Sequence, residues 1–207
     1  LDTFGPMGPW IVTRDELDAS DTRVRCWVND ELRQDASTRD LIFDTKGTSR
    51  GYAVLQPQFR GSGGFGYDFR MAGRKQFADK MQTDLVDGIN DLAAKGIIDP
   101  KRVCIAGASY GGFAALYGAT SLGNVYKCAI SVNGVADHGT WVAHIISRYG
   151  HDYTLLLDFI GDNREEVAAG SPLRNAGSTR APVLVIYSSQ DTTVPPKEQS
   201  VAIADQL

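Results

Sequence analysis

The fold is decided by the ten residues Val103-Cys104-Ile105-Ala106-Gly107-Ala108-Ser109-Tyr110-Gly111-Gly112. The apolar residues at the start of this stretch predict a buried strand, and the small residues at its end predict a helix. Between them, the pattern Gly107-x-Ser109-x-Gly111 predicts a sharp strand-to-helix turn that lifts the serine hydroxyl clear of the sheet. Ser109 is therefore a candidate nucleophile, and the backbone N–H of Tyr110 is a candidate donor to negative charge that develops beside it.

The chain around this turn alternates between strand and helix patterns. Strands are predicted at 52–57, 103–106, 128–132 and 183–187. Apolar residues at helical spacing predict a helix over 78–95, with Gly96 in the position of a C-cap glycine, and a further helix over 197–207. Such alternation is typical of βαβ units around a parallel sheet, so the sequence predicts an α/β fold.

A carboxylate follows the last predicted strand, where the chain reads Ser188-Ser189-Gln190-Asp191. In a parallel α/β sheet, side chains just beyond the carboxyl ends of different strands meet at one edge. Asp191 is therefore the candidate acid that orients a catalytic histidine and stabilises its cation. In the alternative interpretation, Asp191 only caps the turn into the last helix and Ser109 is an ordinary turn residue.

The histidine that this pair needs is missing from its normal place in the chain. Only 16 residues follow Asp191 (207 − 191), and none is a histidine. The three histidines are His138, His144 and His151. His138 begins at the same sheet edge as Ser109 and is the most interesting candidate base, whereas the default interpretation makes it a surface or loop residue. We expect weak or no turnover, because a triad without its base keeps only about 10³- to 10⁴-fold rate enhancement over water.

Composition excludes several classes of function. The chain is 43% hydrophobic and 22% charged with a formal net charge of −4, so we expect no nucleic-acid partner. No apolar run is long enough to span a membrane. The first 20 residues contain charged side chains where a signal peptide would be apolar, so we expect no signal peptide there. Three cysteines without metal-type spacing predict reduced core thiols and a cytoplasmic protein. Neither a cofactor nor a bound metal ion is predicted.

The first 44 residues follow a different pattern. Gly-Pro pairs punctuate short strand-like stretches at 10–13 and 24–28. Asn29-Asp30 lies between two strand patterns, and both residues tolerate positive φ, so this pair predicts a tight hairpin turn. The sequence thus predicts a short β-rich N-terminal segment over 1–45 and an α/β domain over 46–207.

Residues 46–207 resemble the catalytic domain of prolyl oligopeptidase-type serine peptidases, which has the α/β-hydrolase fold. The motifs that carry the resemblance are Arg50-Gly51-Tyr52-Ala53-Val54, Phe59-Arg60-Gly61-Ser62-Gly63-Gly64-Phe65-Gly66, Asp99-Pro100-Lys101-Arg102-Val103, Gly107-Ala108-Ser109-Tyr110-Gly111-Gly112 and Asp191-Thr192-Thr193-Val194-Pro195. The resemblance implies that Ser109 is the nucleophile and Asp191 the triad acid, with Tyr110 and Val194 near the pocket for the residue before the cut bond. Two family features, the His-Gly-Gly-Pro region and the catalytic histidine, are absent from these 207 residues, so the resemblance implies a truncated α/β-hydrolase sheet.

Residues 1–45 resemble the C-terminal part of the fumarylacetoacetate hydrolase family. The resemblance rests on Asp2-Thr3-Phe4-Gly5-Pro6-Met7-Gly8-Pro9-Trp10 and Trp27-Val28-Asn29-Asp30-Glu31-Leu32-Arg33-Gln34. In that family the metal-binding carboxylates and an active-site lysine precede this part. The chain therefore looks like a chimera of two truncated families with a junction near 44–48, joined either naturally or artificially.

Three functions are compatible with these patterns. The first is a serine hydrolase that cleaves peptides or small esters through a Ser109 acyl-enzyme, impaired by the missing histidine. The second is a non-catalytic module that forms homo-oligomers through exposed sheet edges. The third is a remnant of a metal-dependent keto-acid hydrolase, which rests only on residues 1–44.

Overall fold

The structure is a computed structural model that describes residues 23–28, 31–37, 52–150, 158–161 and 164–207. The chain divides into two compact units, Leu1–Leu55 and Gln56–Leu207. The first contains strands β1 (Arg23–Val28) and β2 (Glu31–Ser37). They pair antiparallel, and Val28 lies opposite Glu31. This pairing confirms the two antiparallel strands of the predicted hairpin, whereas its predicted turn at Asn29-Asp30 lies outside the described residues.

The second unit carries the predicted α/β pattern. Its helices and strands are α1 (Tyr67–Met71), α2 (Lys80–Ala94), β3 (Cys104–Ala108), α3 (Tyr110–Ser121), β4 (Cys128–Val132), α4 (His138–Tyr149), α5 (Arg164–Ala169), β5 (Val183–Ile186) and α6 (Ala202–Ala204). Short 3₁₀ helices cover Pro100–Arg102 and Pro172–Ser178, and one π-helical turn covers Lys197–Val201. The last predicted helix is therefore one π turn followed by α6 rather than a continuous α-helix.

The three strands described in this unit form a parallel sheet in the order β3-β4-β5. Helix α3 is its main covering layer, since eight of its 12 residues are buried. Leu116 of α3 lies in a core cluster against which Val183 and Val185 of β5 pack. The alternate residues of β5, Leu184 and Ile186, are 53% and 45% exposed. One face of the sheet is thus packed and the other is largely open among the described residues.

Helix α2 begins and ends close to its predicted limits. Gly96 follows the helix with φ +68°, and its N–H donates to the carbonyl of Ala93. Positive φ at this point suits glycine, which confirms the predicted C-cap. In the first half of the helix, the Asp84 carboxylate accepts two hydrogen bonds from the Arg60 guanidinium, at 2.7 and 2.5 Å. These bonds lower the pKa of Asp84 and attach the glycine-rich loop to α2.

The sequence prediction of a strand at 52–57 is wrong. Residues 52–57 form no strand, and Tyr52 and Val54 are 70% and 57% exposed. A strand requires a paired neighbour, and the described sheets pair only β1 with β2 and β3 to β5 with one another. An apolar run alone does not supply that partner.

The cysteines also differ from the prediction of reduced core thiols. Cys104 and Cys128 form a disulfide, with their Cα atoms 4.7 Å apart. The register of β3 and β4 places these two residues directly opposite each other in the parallel sheet. Spacing along the sequence gave no sign of this pairing, because it depends on which strands become neighbours.

Candidate active site

Ser109 lies in the strand-to-helix turn that the sequence predicts. It is the one residue between β3 and α3, it is exposed, and its backbone has φ 54° and ψ −116°. This conformation costs free energy for a residue with a side chain. Two hydrogen bonds hold it: the Ser109 N–H donates to the carbonyl of Val132 at 2.9 Å, and the Ser109 carbonyl accepts from the Phe113 N–H at 3.0 Å. The result is an exposed serine on a backbone that two hydrogen bonds hold in place.

The glycines around Ser109 allow segments of backbone to touch. A Cβ atom on Gly107 would lie 2.4 Å from the carbonyl carbon of Gly111. A Cβ atom on Gly112 would lie 2.7 Å from the Cα of Gly134, in the turn after β4. Real Cβ atoms do not approach that closely, so the tight turn requires glycine at both positions.

The side chain of Tyr110 anchors the start of α3. Its hydroxyl donates to the carbonyl of Phe77 at 3.0 Å and accepts from Nε2 of Gln82 at 2.9 Å. Burial raises the pKa of this phenol well above its usual value, so the hydroxyl stays protonated at neutral pH. The backbone N–H of Tyr110 belongs to the first turn of α3, where helix amides have no carbonyl partner inside the helix.

Asp191 follows β5, and its side chain binds backbone groups of its own loop. Its Oδ1 atom accepts hydrogen bonds from the N–H groups of Thr193, at 2.8 Å, and Val194, at 2.9 Å. The Asp191 N–H donates to the carbonyl of Ser188 at 3.2 Å. Within the described ranges Oδ2 has no hydrogen-bond partner, so one carboxylate oxygen remains available to a donor.

Ser109 and Asp191 lie beyond the carboxyl ends of β3 and β5, which flank β4 in the same parallel sheet. The carboxyl ends of parallel strands lie at one edge, so both residues are at the same edge of the sheet. The bend at Ser109 is not absorbed into a continuous helix. The turn and the shared sheet edge agree with the sequence interpretation, and the catalytic roles of Ser109 and Asp191 stay predictions.

Helix α4 contacts the Asp191 loop through two rings. The indole N–H of Trp141 donates to the carbonyl of Thr193 at 3.0 Å. Nε2 of His144 lies 2.9 Å from the carbonyl of Thr192. The next loop residue, Val194, is 3% exposed and packs with Phe113 and Val135, so in this structure its side chain is part of the core.

His138 is not the surface residue that the default interpretation expects. It is 1% exposed, and its ring lies 4.8 Å from that of Phe77 and 4.6 Å from that of Phe113. Nδ1 lies 3.3 Å from the carbonyl of Val167, and Nε2 has no hydrogen-bond partner in the described part of the chain. Burial lowers the pKa of His138 to about 4, so the ring is neutral at pH 7. It makes no hydrogen bond to Ser109. His151 lies outside the described residues.

Sequence reasoning missed Asn133, the first residue after β4. Its φ is 45°, its N–H donates to the carbonyl of Ile186, and its Oδ1 accepts from the Ser188 N–H. An asparagine before a glycine after a predicted strand is a turn signal that tolerates positive φ, and this signal could have identified it.

No membrane-crossing or metal-binding feature is found in the parts of the chain with described coordinates. No helix there is long and apolar enough to cross a bilayer. No three His, Cys, Asp or Glu side chains there come together as ligands of an ion would.

Comparison with known families divides the chain in two. The family model described as "Prolyl oligopeptidase family" matches residues 41–207. The model described as "Fumarylacetoacetate (FAA) hydrolase C-terminal" matches residues 1–48. Both resemblances noted in the sequence are confirmed.

Individual proteins show the same likeness. Dipeptidyl aminopeptidase BIII of Pseudoxanthomonas mexicana is 33% identical over 151 residues, which cover 70% of this chain and 22% of that protein. An acylaminoacyl peptidase structure from Pyrococcus horikoshii matches with a TM-score of 0.62 and 28% identity over 72% of this chain and 24% of that one. A puromycin-hydrolyzing peptidase from Mycobacterium tuberculosis matches with a TM-score of 0.65 and 31% identity over 72% of this chain and 22% of that one. These likenesses confirm the α/β-hydrolase fold class, although the chain spans less than a quarter of the length of each of these proteins.

Proposed function

The chain belongs to the prolyl oligopeptidase family, and from this premise we propose that Ser109 is the nucleophile of a serine hydrolase that cleaves peptide or ester bonds. The observation that carries the proposal is the exposed Ser109 at positive φ between β3 and α3. Asp191 is the proposed acid, because it lies at the same sheet edge and one of its carboxylate oxygens has no hydrogen-bond partner among the described residues.

The proposed reaction has two stages. Oγ of Ser109 attacks the carbonyl carbon of the substrate while a base takes its proton, and the N–H of Tyr110 stabilises the negative oxygen that forms. The leaving amine or alcohol takes the proton from the base, which leaves an acyl group on Ser109. Water then attacks this ester by the same route and frees the serine.

The reaction needs a base, and none of the residues that follow Asp191 in this sequence is a histidine. An imidazole between Ser109 and Oδ2 of Asp191 would complete the triad, but the buried ring of His138 is already placed elsewhere. We infer that the 207 residues alone react slowly and that imidazole from solution or from another polypeptide accelerates the reaction. Asp191 would hold that imidazole in orientation and stabilise its cation.

We propose amide substrates rather than esters, because the similar proteins are named as peptidases. An aminopeptidase, an acylaminoacyl peptidase and a puromycin-hydrolyzing peptidase are among the similar proteins. Val194 belongs to one buried apolar cluster, and the ring of Tyr110 packs against the same cluster. We propose that they support the wall of the pocket for the residue before the cut bond. Activated esters remain useful substrates, because their leaving groups need less help from a base.

The test is labelling of the 207-residue chain with a fluorophosphonate, followed by mass spectrometry. Without imidazole we expect slow labelling of Ser109, and with imidazole a rate that rises with concentration and saturates. Ser109→Ala removes the modified residue and Asp191→Asn should weaken the imidazole effect. Label on another residue, or equal labelling of Ser109→Ala, would show that Ser109 is not the nucleophile. Fast stoichiometric labelling without imidazole would show that the chain already contains a base.

A second candidate function is that of a non-catalytic assembly module. The observation that favours it is the open face of the sheet, where Leu184 and Ile186 of β5 are exposed. Apolar side chains in this position favour association with a second copy. Light scattering coupled to sizing measures this directly, and a monomer at all concentrations would exclude it.

The chimeric organisation and the cellular location are further proposals. We propose a boundary near residue 45, where the two family matches overlap at 41–48. The cytoplasmic location predicted from unpaired cysteines is weakened by the Cys104–Cys128 disulfide, since cytoplasmic thiols are normally kept reduced. Alkylation in acid would trap the redox state of the protein isolated from cells. Reduced cysteines would support the cytoplasmic location, and an intact Cys104–Cys128 disulfide would contradict it.

A further inference from the structure

The turn after β4 holds a residue in an unusual backbone conformation. Asn133 has φ 45°, and in the described chain the other non-glycine residues with positive φ are Lys75 and Ser109. Asparagine is among the residues that tolerate this region best. Its side chain is half-buried at the carboxyl edge of the sheet.

Asn133 contacts the segment that leads to Asp191. Its N–H donates to the carbonyl of Ile186 at 2.9 Å, which continues the pairing of β4 with β5 by one residue. Its Oδ1 accepts the Ser188 N–H at 2.8 Å. The Ser188 carbonyl in turn accepts the Asp191 N–H. Two hydrogen bonds in series therefore connect Asn133 to the backbone of the proposed acid.

The neighbours of Asn133 contact the turn at Ser109. The carbonyl of Val132 accepts the Ser109 N–H at 2.9 Å. On the other side, Gly134 lies against Gly112, so closely that a Cβ atom on Gly112 would be 2.7 Å from its Cα. The three residues 132–134 thus touch the serine turn and the acid loop at once.

We propose that Asn133 is a positioning residue that fixes the Asp191 loop relative to Ser109. The proposal rests on the proposed hydrolase function, because it assigns Asn133 a role in that site. The left-handed backbone turns the chain after β4, and Oδ1 then meets the Ser188 N–H that the end of β5 presents. Without this acceptor, the segment 188–191 loses its link to the strand that also holds Ser109.

The test compares Asn133→Gly with Asn133→Asp. Glycine accepts positive φ but removes the hydrogen-bond acceptor, whereas aspartate keeps an acceptor oxygen and tolerates the same backbone. Fluorophosphonate labelling of Ser109 is measured against imidazole concentration. For Asn133→Gly we expect half-maximal labelling to require about tenfold more imidazole, because one neutral hydrogen bond is lost. Asn133→Asp should stay within about threefold of the unchanged protein on the same reasoning.

Hydrogen exchange at the amides of 188–191 provides a readout that does not depend on activity. We expect faster exchange there in Asn133→Gly than in Asn133→Asp, with both variants folded by circular dichroism. Equal exchange in the two variants would overturn the positioning role even if Ser109 reacts. Absence of labelling in the unchanged protein at every imidazole concentration would overturn the hydrolase proposal instead, while the exchange data still decide whether Asn133 holds the loop. Loss of labelling by the same factor at all imidazole concentrations would indicate general loosening and would also contradict the positioning role.

Discussion

At the residue scale, the turn at Ser109 depends on Gly107 having no side chain. We predict that Gly107→Ala displaces Ser109 and slows its fluorophosphonate labelling by at least tenfold, because the new Cβ would lie 2.4 Å from the carbonyl carbon of Gly111. The substitution should also lower the free energy of unfolding by about 1–3 kcal/mol, the usual cost of overpacking. Labelling rate and urea denaturation of the same sample measure both effects.

Gly111→Ala is the matched control for this prediction. A Cβ atom on Gly111 meets nothing within 4 Å, and Gly111 lies inside α3, where alanine is favoured over glycine. We expect Gly111→Ala to keep its labelling rate and to gain a little stability. If the two variants lose labelling equally, the close contact at Gly107 is not what holds the turn.

His138 makes stability depend on pH. Its pKa is about 4 in the folded chain because of burial, against 6.5 when exposed. Between these values the unfolded chain binds a proton that the folded chain does not, so stability is present above pH 6.5 and is lost as the pH falls toward 4. The difference predicts a loss of about 3 kcal/mol in the free energy of unfolding over this range. Urea denaturation at a series of pH values measures it.

Other groups also titrate in acid, and a variant isolates the part that belongs to His138. His138→Phe keeps a ring beside Phe77 and Phe113 but removes the titration. The stability of this variant should fall less steeply between pH 6.5 and 4. Parallel curves for the two proteins would show that His138 is accessible to protons in the folded state.

Single residues differ in how far the sequence predicts their surroundings. Ser109 was identifiable because its turn is local: the glycines, the strand and the helix all lie within ten residues. His138 was misjudged because its burial comes from Phe77, which is 61 positions earlier (138 − 77). A histidine carries no local signal that separates a solvated ring from one packed between aromatic rings.

At the scale of elements, the Cys104–Cys128 disulfide links β3 to β4. It closes a loop with a sequence separation of 24, and a loop of this size predicts a stabilisation of about 3 kcal/mol through the unfolded chain. We therefore predict that a dithiol reductant lowers the melting temperature of the protein. The double variant Cys104→Ser with Cys128→Ser should melt at the lower temperature with or without reductant. Native protein that presents all three thiols to a thiol reagent without reduction would contradict this prediction.

Elements were predicted well where neighbours in sequence decide them. The hairpin of β1 and β2, helix α2 with Gly96, and strand β4 all follow from short-range patterns. The strand predicted at 52–57 failed because pairing is a property of two segments, and the pattern describes only one. The disulfide was missed for the same reason, since it joins residues that only the β3–β4 register brings together.

At the scale of the whole molecule, the described part of the parallel sheet has apolar side chains on its exposed face as well as on its packed face. Val183 and Val185 of β5 pack against the core, while Leu184 and Ile186 on the same strand are exposed. The sheet is parallel, and in parallel sheets both faces are normally covered and both sets of side chains are apolar. Apolar residues on the outward face therefore indicate a surface suited to association.

We predict that Leu184→Lys weakens self-association of the chain by at least about tenfold, because burying a leucine contributes roughly 1.5–3 kcal/mol and the lysine charge opposes burial. Leu184 is 53% exposed, so the substitution should leave the packed face of the sheet intact. Ile97→Lys is the control, since Ile97 is similarly exposed, at 58%, but lies outside the sheet, just after α2. Sedimentation equilibrium over a hundredfold range of concentration measures both variants. Equal association of Leu184→Lys and the unchanged chain would remove β5 from the contact, and a weakening shared by Ile97→Lys would indicate that general hydrophobicity, rather than this face, drives association.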